Sequence, residues 1–475
     1  MPIVGLGLHI LFALICAVHA IRTGQQLFWL IILFSFPLLG SLINWGIVVR
    51  KLILLVAALP FAASSYADAP SAQIVLKAAR IFDAVDGTLR NNAFVLVEGD
   101  KIISVTATAP DGAKVIDLGD ATLLPGFIDA HTHLTQDYAK DFYKEFYQES
   151  FRFPAEQALL ASQYARRTLQ AGFTTVRNVG AEDWVDGGLR NSINAGVTVG
   201  PRMLTAIHAI GVTGGHCDQS PYPPEKIPPL GPINGVCDSA DSCREAVRDQ
   251  MKWGADVIKI CASGGVLSRS DPVDVPQLTP EEMSAIVSEA HKWGRKVAAH
   301  CHGDLAARLA IEAGVDSIEH GTFLTEDTLK LMKKKGVWLV PTRMAAYWVG
   351  TVADNYPPPI AIKARAIGSV HATMFKTALR VGVNIAFGTD AGVFPHGMNA
   401  HEFALMVELG MAPAAALQSG TRDAAKLLGV DTDSGTLEAG KFADIVAVPG
   451  NVLDHIEATE HPLFVMRHGQ IYVQR

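Results

Sequence analysis

Leu123-Leu124-Pro125-Gly126-Phe127-Ile128-Asp129-Ala130-His131-Thr132-His133-Leu134 is the stretch on which the fold turns. An apolar run of strand length enters a pair of histidines spaced i, i+2. Side chains alternate along a strand, so His131 and His133 face the same way and can chelate one ion. The spacing predicts a strand over Gly126–Ala130 whose C-terminal end carries the polar residues.

Working outward, the same texture recurs. Strand-length apolar runs at Thr174–Val179, Arg202–Ala206, Asp256–Ala262, Val297–His302, Ser317–Gly321, Trp338–Thr342 and Ile385–Ala391 alternate with helical stretches. Eight strand-plus-helix units between residues 125 and 429 predict an α/β fold, a (β/α)8 TIM barrel. A doubly wound open sheet is the runner-up, but no Gly-x-Gly-x-x-Gly follows the first strand. The Gly- and Pro-rich stretch Gly214–Ser242 is too long for a plain connection and is a candidate for substrate contact.

Barrel sites form where strands end. The predicted ends carry His131 and His133, Lys259, His300 with His302, Glu319-His320, and Gly388-Thr389-Asp390. Any one of these histidines reads most simply as a core residue. Five histidines or acids at successive strand ends fit that reading poorly. Imidazole and carboxylate suit zinc and its neighbours. Lys259 has no lone pair to offer as an ammonium, and it would be costly in a core without a partner. Either it pairs with an acid or snorkels, or its amine has become a carbamate able to bridge two cations.

The opening string, together with Glu438-Ala439-Gly440-Lys441-Phe442-Ala443-Asp444-Ile445-Val446, resembles the metal-dependent amidohydrolase superfamily. Val257–Val266, the His300/His302 pair, Ser317–Thr322 and Gly388–Gly392 narrow the resemblance. They look like the imidazolonepropionase-like branch with its Xaa-Pro dipeptidase-like and carboxypeptidase-like enzymes. The body is also similar to bacterial ochratoxin-degrading amidohydrolases. The likeness spans residues 73 to 475 and implies a binuclear site with two divalent ions, zinc by preference. His131, His133 and Asp390 would hold the buried ion and His300 and His320 the more exposed one, with carboxylated Lys259 bridging. Asp390 would move the proton between water and leaving amine, and His302 would donate to substrate or support a ligand. His216 and Arg343 are candidates for a substrate carboxylate. Gly265 and Val266 follow the lysine strand, where glycines let backbone N–H groups approach an anion; Tyr347 is a candidate pocket wall. The activity implied is hydrolysis of the amide bond to a C-terminal amino acid in an N-acyl amino acid or dipeptide, with ochratoxin A to ochratoxin alpha and phenylalanine as one case. A cyclic-amide hydrolase of the imidazolonepropionase type and a non-catalytic periplasmic metal-binding protein are the alternatives.

The rest of the 475 residues frames this body. Residues 70–124 and 430–475 are rich in short alternating runs and predict one small β-sandwich domain built from both ends. The N-terminal region holds two apolar runs, Val4 to Ile21 and Leu27 to Val49, each long enough to cross a bilayer, so that residues 1–48 read as a hydrophobic extension. Residues 49–67 have the layout of a signal peptide, Arg50-Lys51 then Leu52–Ala63 then small residues, with cleavage expected after Ala67. Translation from Val49 would make residues 1–48 an artefact of start assignment; otherwise they are a membrane hairpin. Either way the body is exported, periplasmic or secreted, or else held at the inner membrane. From Asp68 onward 37 Lys+Arg face 47 Asp+Glu, a poor match to nucleic acid. The expected partners are a small-molecule substrate and further copies of the chain, with a membrane only where the N-terminal segments are real. Of six cysteines, Cys261 and Cys301 read as buried thiols, and Cys217, Cys237 and Cys243 allow one disulfide and one leftover thiol.

Overall fold

Pro125-Gly126 divides what reads as one apolar run into two strands belonging to different sheets. In the computed structural model, which describes residues 73–108, 114–218, 225–226, 228–269 and 271–475, the strand before the break ends at Pro125 and the next begins at Phe127. A side chain at Gly126 would collide with Thr174, its Cβ 2.2 Å from the Thr174 hydroxyl oxygen, so only glycine permits this close crossing. The hydrophobic extension and the signal peptide expected within residues 1–67 lie outside the described residues.

The chain first lays down β1 (Ile74–Asp83), β2 (Thr88–Glu98), β3 (Lys101–Thr106), β4 (Lys114–Asp117) and β5 (Ala121–Pro125). Then come β6 (Phe127–Thr132), β7 (Phe173–Asn178), β8 (Arg202–Thr205), β9 (Val257–Cys261), β10 (Lys296–Cys301), β11 (Ser317–His320) and β12 (Trp338–Val340), with helices between most of them. It closes with β13 (Ile445–Pro449), β14 (Phe464–Arg467) and β15 (Gln470–Gln474). The two ends of the body meet in one sheet of order β15-β14-β13-β5-β1-β2-β3, with β4 beside β1. Its seam is the antiparallel pairing of β5 with β13, Leu124 opposite Val446. Leu76, Ile81, Val95, Val97, Ile102, Leu123, Ile445, Phe464 and Met466 form its own apolar cluster.

The middle strands are parallel and buried on both faces, which is why they read as near-continuous apolar runs. They form a three-stranded sheet, β6-β7-β8, and a four-stranded sheet, β12-β11-β10-β9. Isolated parallel bridges extend each sheet: Ile210 to Ile260 beside β9, and Leu339 to Ile385 and Thr132 to Ala391 at the other margins. No regular strand forms at Ile385–Ala391, contrary to expectation. The segment still bonds to both neighbours, with Leu339 N–H to Asn384 O and Ala386 N–H to Leu339 O on the β12 side and Ala130 N–H to Phe387 O and Asp390 N–H to His131 O on the β6 side, but the Phe387 N–H goes to Ser419 O and interrupts the ladder.

The helices carry ordinary end signals. Glu326–Lys335 starts at Thr325, whose hydroxyl accepts the Thr328 N–H, has Glu326 and Asp327 in its first turn and ends in Lys333, Lys334 and Lys335. Among the described residues no helix is long and apolar enough to cross a membrane.

Candidate active site

Three strand-end positions adopt left-handed backbone: His320 (φ 67°), Thr342 (φ 49°) and Asp390 (φ 64°). For residues with a β-carbon this costs about 1–3 kcal/mol each and tends to gather at functional sites. Here it turns His320 and Asp390 toward the histidines of β6 and β10.

Two groups of ligand-type atoms result, each within 4.8 Å: His131, His133 and Asp390, and His300, His302 and His320. In the first, Asp390 Oδ1 is 3.5 Å from His131 Nε2 and 3.4 Å from His133 Nε2. Tetrahedral ligands about 2.0–2.1 Å from zinc stand roughly 3.3–3.4 Å apart, so these separations suit an ion. The groups adjoin through the rings of His131 and His320, 4.9 Å between centroids. His302 thus sits with His300 and His320 as a third imidazole.

Hydrogen bonding sets the tautomers. His133 Nδ1 faces the Gly180 carbonyl at 3.2 Å and His300 Nε2 faces the Gly264 carbonyl at 3.1 Å, so both nitrogens must donate. His320 Nδ1 meets the Thr342 hydroxyl at 2.7 Å, and that hydroxyl donates to Pro341 O, so the ring donates to it. His131 Nδ1 meets Glu319 Oε2 at 2.7 Å, leaving its buried Nε2 without a hydrogen-bond partner. Each ring therefore keeps one unprotonated nitrogen, as metal binding requires. Burial reinforces this, holding the His133 imidazole near a pKa of about 4 and His131, His300 and His320 well below the usual range. A buried nitrogen with no partner, neutral rings and a carboxylate within reach are a donor set that fits a borderline divalent cation.

Lys259, on β9 and only 3% exposed, is also shifted: burial pulls its ammonium down to about 8. Burial raises Asp390 to about 6.

The remaining expected residues divide. His216 is no solvated loop residue. Its ring lies 4.2 Å from that of His300 and its Nδ1 is buried without a partner. Gly265 passes so close to that ring that no side chain fits between them. The Gly264 and Gly265 amides, however, already donate to Val275 O and Asp271 Oδ2, so the anion cradle expected of these glycines is occupied from within the loop. Val266 is buried among Ala346, Val349 and Ile367. Arg343 Nη1 donates to Gly368 O at 3.2 Å, binding it to the long helix Pro358–Val381. Tyr347 is 41% exposed, not core.

Cys301 is a buried free thiol as read, but Cys261 is not: it is bonded to Cys217, and Cys237 to Cys243, which makes two disulfides among the described residues where one was expected. Lys259 and Cys261 are two residues apart and so share a strand face; alternation puts Cys261 on the site side, where Cys217 follows His216. Sequence reasoning also passed over Arg177 and Lys363. Arg177 was legible as a charge inside the apolar run Phe173–Asn178, which demands a buried carboxylate partner. Lys363 donates to Gly265 O and Ser268 O, both at 2.7 Å, and only the folded chain brings it there.

Residues 122–472, nearly three quarters of the chain, match the amidohydrolase family profile. The chain belongs to the amidohydrolase family. This amidohydrolase is 32% identical over 403 residues to the ochratoxinase of Aspergillus niger, covering 79% of this chain and 80% of that protein. Imidazolonepropionase of Cutibacterium acnes is 26% identical over 371 residues, covering 76% and 85%. Among solved structures, a Xaa-Pro dipeptidase with bound methionine in its active site superposes with TM-score 0.81 at 38% identity, covering 85% of this chain and all of that one. The A. niger ochratoxinase structure gives 0.75 at 29%, covering 86% and 97%. The amidohydrolase is accordingly a hydrolytic enzyme acting on amide bonds of small molecules, in a family typically dependent on metal.

Proposed function

We propose that the enzyme is a binuclear amidohydrolase that releases a C-terminal amino acid from N-acyl amino acids or dipeptides. The observation that carries this reading is the pair of adjoining ligand groups around His131, His133, Asp390 and His300, His302, His320, in a chain similar to an ochratoxinase and a Xaa-Pro dipeptidase. We infer that the two parallel sheets and the Ile385–Ala391 segment close a (β/α)8 barrel, with the sheet from both ends as a separate small domain.

His131, His133 and Asp390 would hold one ion, and His300 and His320 the other. Burial, which lowers the Lys259 ammonium to about 8, raises the share of neutral amine, the form that adds carbon dioxide and loses a proton to give a carbamate, which would supply oxygen ligands to both ions. Zinc is the preferred ion for a histidine-rich donor set. When bound, such ions lower the pKa of a shared water and polarise the scissile carbonyl. Asp390, with its carboxylate beside both β6 histidines, takes the proton from water and returns it to the leaving amine. His302, its Nδ1 facing the Thr322 hydroxyl at 2.8 Å, is positioned to donate to substrate or to support the His300/His320 pair. His216, with an unsatisfied Nδ1 beside His300, is the better candidate to read a substrate carboxylate. Arg343 is tied back to a helix carbonyl and would have to release it. Disulfides favour an oxidising compartment, which supports export.

The test is to screen the purified body, residues 68–475, against N-acyl amino acids, dipeptides and cyclic amides while measuring bound metal. Release of free amino acid with two ions per chain supports the reading. Ring opening alone moves the enzyme to the imidazolonepropionase type, and bound metal with no turnover on any substrate removes the catalytic reading.

A further inference from the structure

Arg177 is among the largest fully buried side chains in the protein, 1% exposed. Its Nη2 donates to Glu319 Oε1 at 2.8 Å, its Nη1 to Ser317 Oγ at 3.2 Å and its Nε to Ala130 O at 2.5 Å. The Ser317 hydroxyl donates to the same Glu319 oxygen. The other, Oε2, faces His131 Nδ1 at 2.7 Å, and Glu319 and His131 are both wholly buried. One charged chain thus crosses the interior from β7 through β11 to β6, and both carboxylate oxygens are engaged.

On the reading above that His131 is a metal ligand, we propose that Arg177 and Glu319 are positioning residues for that ring. The guanidinium and Ser317 lock the carboxylate in place; the carboxylate holds the Nδ1 proton, so that the Nε2 lone pair faces the ion position beside Asp390. The other ligand rings rest on neutral oxygens, those of Gly180, Gly264 and Thr342. His131 alone among them has a charged partner, which holds its tautomer and ring orientation more firmly than a neutral oxygen would.

The locking makes a specific variant informative. In Glu319→Gln the single acceptor oxygen is claimed by Arg177 and Ser317, which both donate. The amide N–H2 then turns to His131, which must accept at Nδ1 and carry its proton on Nε2, the wrong tautomer for a ligand. Divalent-ion affinity, measured on metal-stripped protein by zinc competition with a chromophoric chelator, should fall roughly 10–100-fold for the tighter ion. Glu319→Gln also leaves a buried guanidinium unpaired and can unfold the chain. Arg177→Met/Glu319→Leu therefore serves as the second variant, removing both charges together, and its folding is checked by thermal unfolding without metal. It should fold and show weakened zinc affinity. Wild-type affinity in either folded variant overturns the positioning role while the binuclear reading stands. A wild-type chain that binds no zinc overturns the binuclear reading itself, and this proposal with it.

Discussion

Gly265→Ala is the sharpest test of whether His216 serves the chemistry. Gly265 does not occupy left-handed backbone, so alanine fits its main chain. The added Cβ would stand 2.1 Å from His216 Cε1, 2.2 Å from Nδ1 and 2.6 Å from Cγ. Carbon contacts settle near 3.5–4.0 Å, so ring or loop must yield by more than about 1 Å. Neither yields easily. The His216 N–H is held by Gln277 Oε1 at 2.9 Å, and the next residue is bonded to Cys261 on β9. The Gly265 loop is tied by the Lys363 ammonium to the carbonyls of Gly265, Ser268 and Asp271. The ring leaves its place beside His300. A misplacement of about 1 Å at a positioning group costs on the order of 100-fold, about 2.7 kcal/mol of transition-state stabilisation. The assay is kcat/KM on an N-acyl-phenylalanine for Gly265→Ala, His216→Ala and the double variant, with melting curves to confirm folding. The two single losses should be alike and the double no worse than either. Wild-type kcat/KM in folded Gly265→Ala would refute the reasoning, and so would fully additive losses.

Glu402 is completely buried, accepts the Arg343 and Met344 N–H groups, and is pushed up to about 8 by burial. A raised folded pKa gives stability that is complete below the unfolded value near 4.5 and disappears as pH rises through 8, so wild type should lose up to about 1.4 kcal/mol per pH unit across that window relative to Glu402→Gln. Urea unfolding at pH 5 and pH 8 checks it, and parallel curves for the two proteins would sink it. Phe387→Ala empties a site between Phe173 and Phe403, with ring centroids 5.5 and 4.2 Å away, and should destabilise by about 3–5 kcal/mol in denaturant titrations. Lys259→Ala should abolish turnover, with short carboxylic acids or bicarbonate restoring part of it; near-normal turnover without them would exclude the carbamate. N-acyl-phenylalanine should outperform its carboxamide by the roughly 1.5–3 kcal/mol of a hydrogen bond to a charged group, and equal kcat/KM would mean that no carboxylate is read.

What the sequence made legible is what local pattern controls. Apolar runs located all seven regular parallel strands to within a few residues, and short alternating runs marked both ends of the body as strand-rich. Histidine spacing marked the pairs His131/His133 and His300/His302, and the fold brings each pair together with one further ligand-type residue, Asp390 and His320. The eighth segment, Ile385–Ala391, does bond to β6 and β12, but it forms no regular strand because the Phe387 N–H goes to Ser419 O, beside a helix end that no local window contains. β5 was hidden because its burial resembles that of β6, and the division rests on a steric collision with Thr174, a residue 48 positions away. Such errors share one cause: the deciding contact is long-range.

The site shows the same division at finer scale. Strand parity puts Cys261 on the face of Lys259, beside the candidate ligand residues, so its reading as a buried packing thiol misapplies the alternation. Only the fold shows that Cys217 meets it there, bringing the preceding residue, His216, to 4.2 Å from the ring of His300. The pairing is why His216 is the better candidate for substrate recognition than Arg343: one is fastened against the candidate ligand rings by a covalent neighbour, while the guanidinium of the other is bonded to a helix carbonyl it would have to release. Candidate chemistry is written in residue types at strand ends. Which of those residues reach a substrate depends on the loops that follow the strands, and in this enzyme those loops are held by a disulfide, an ammonium on three carbonyls and a glycine with no room for a side chain.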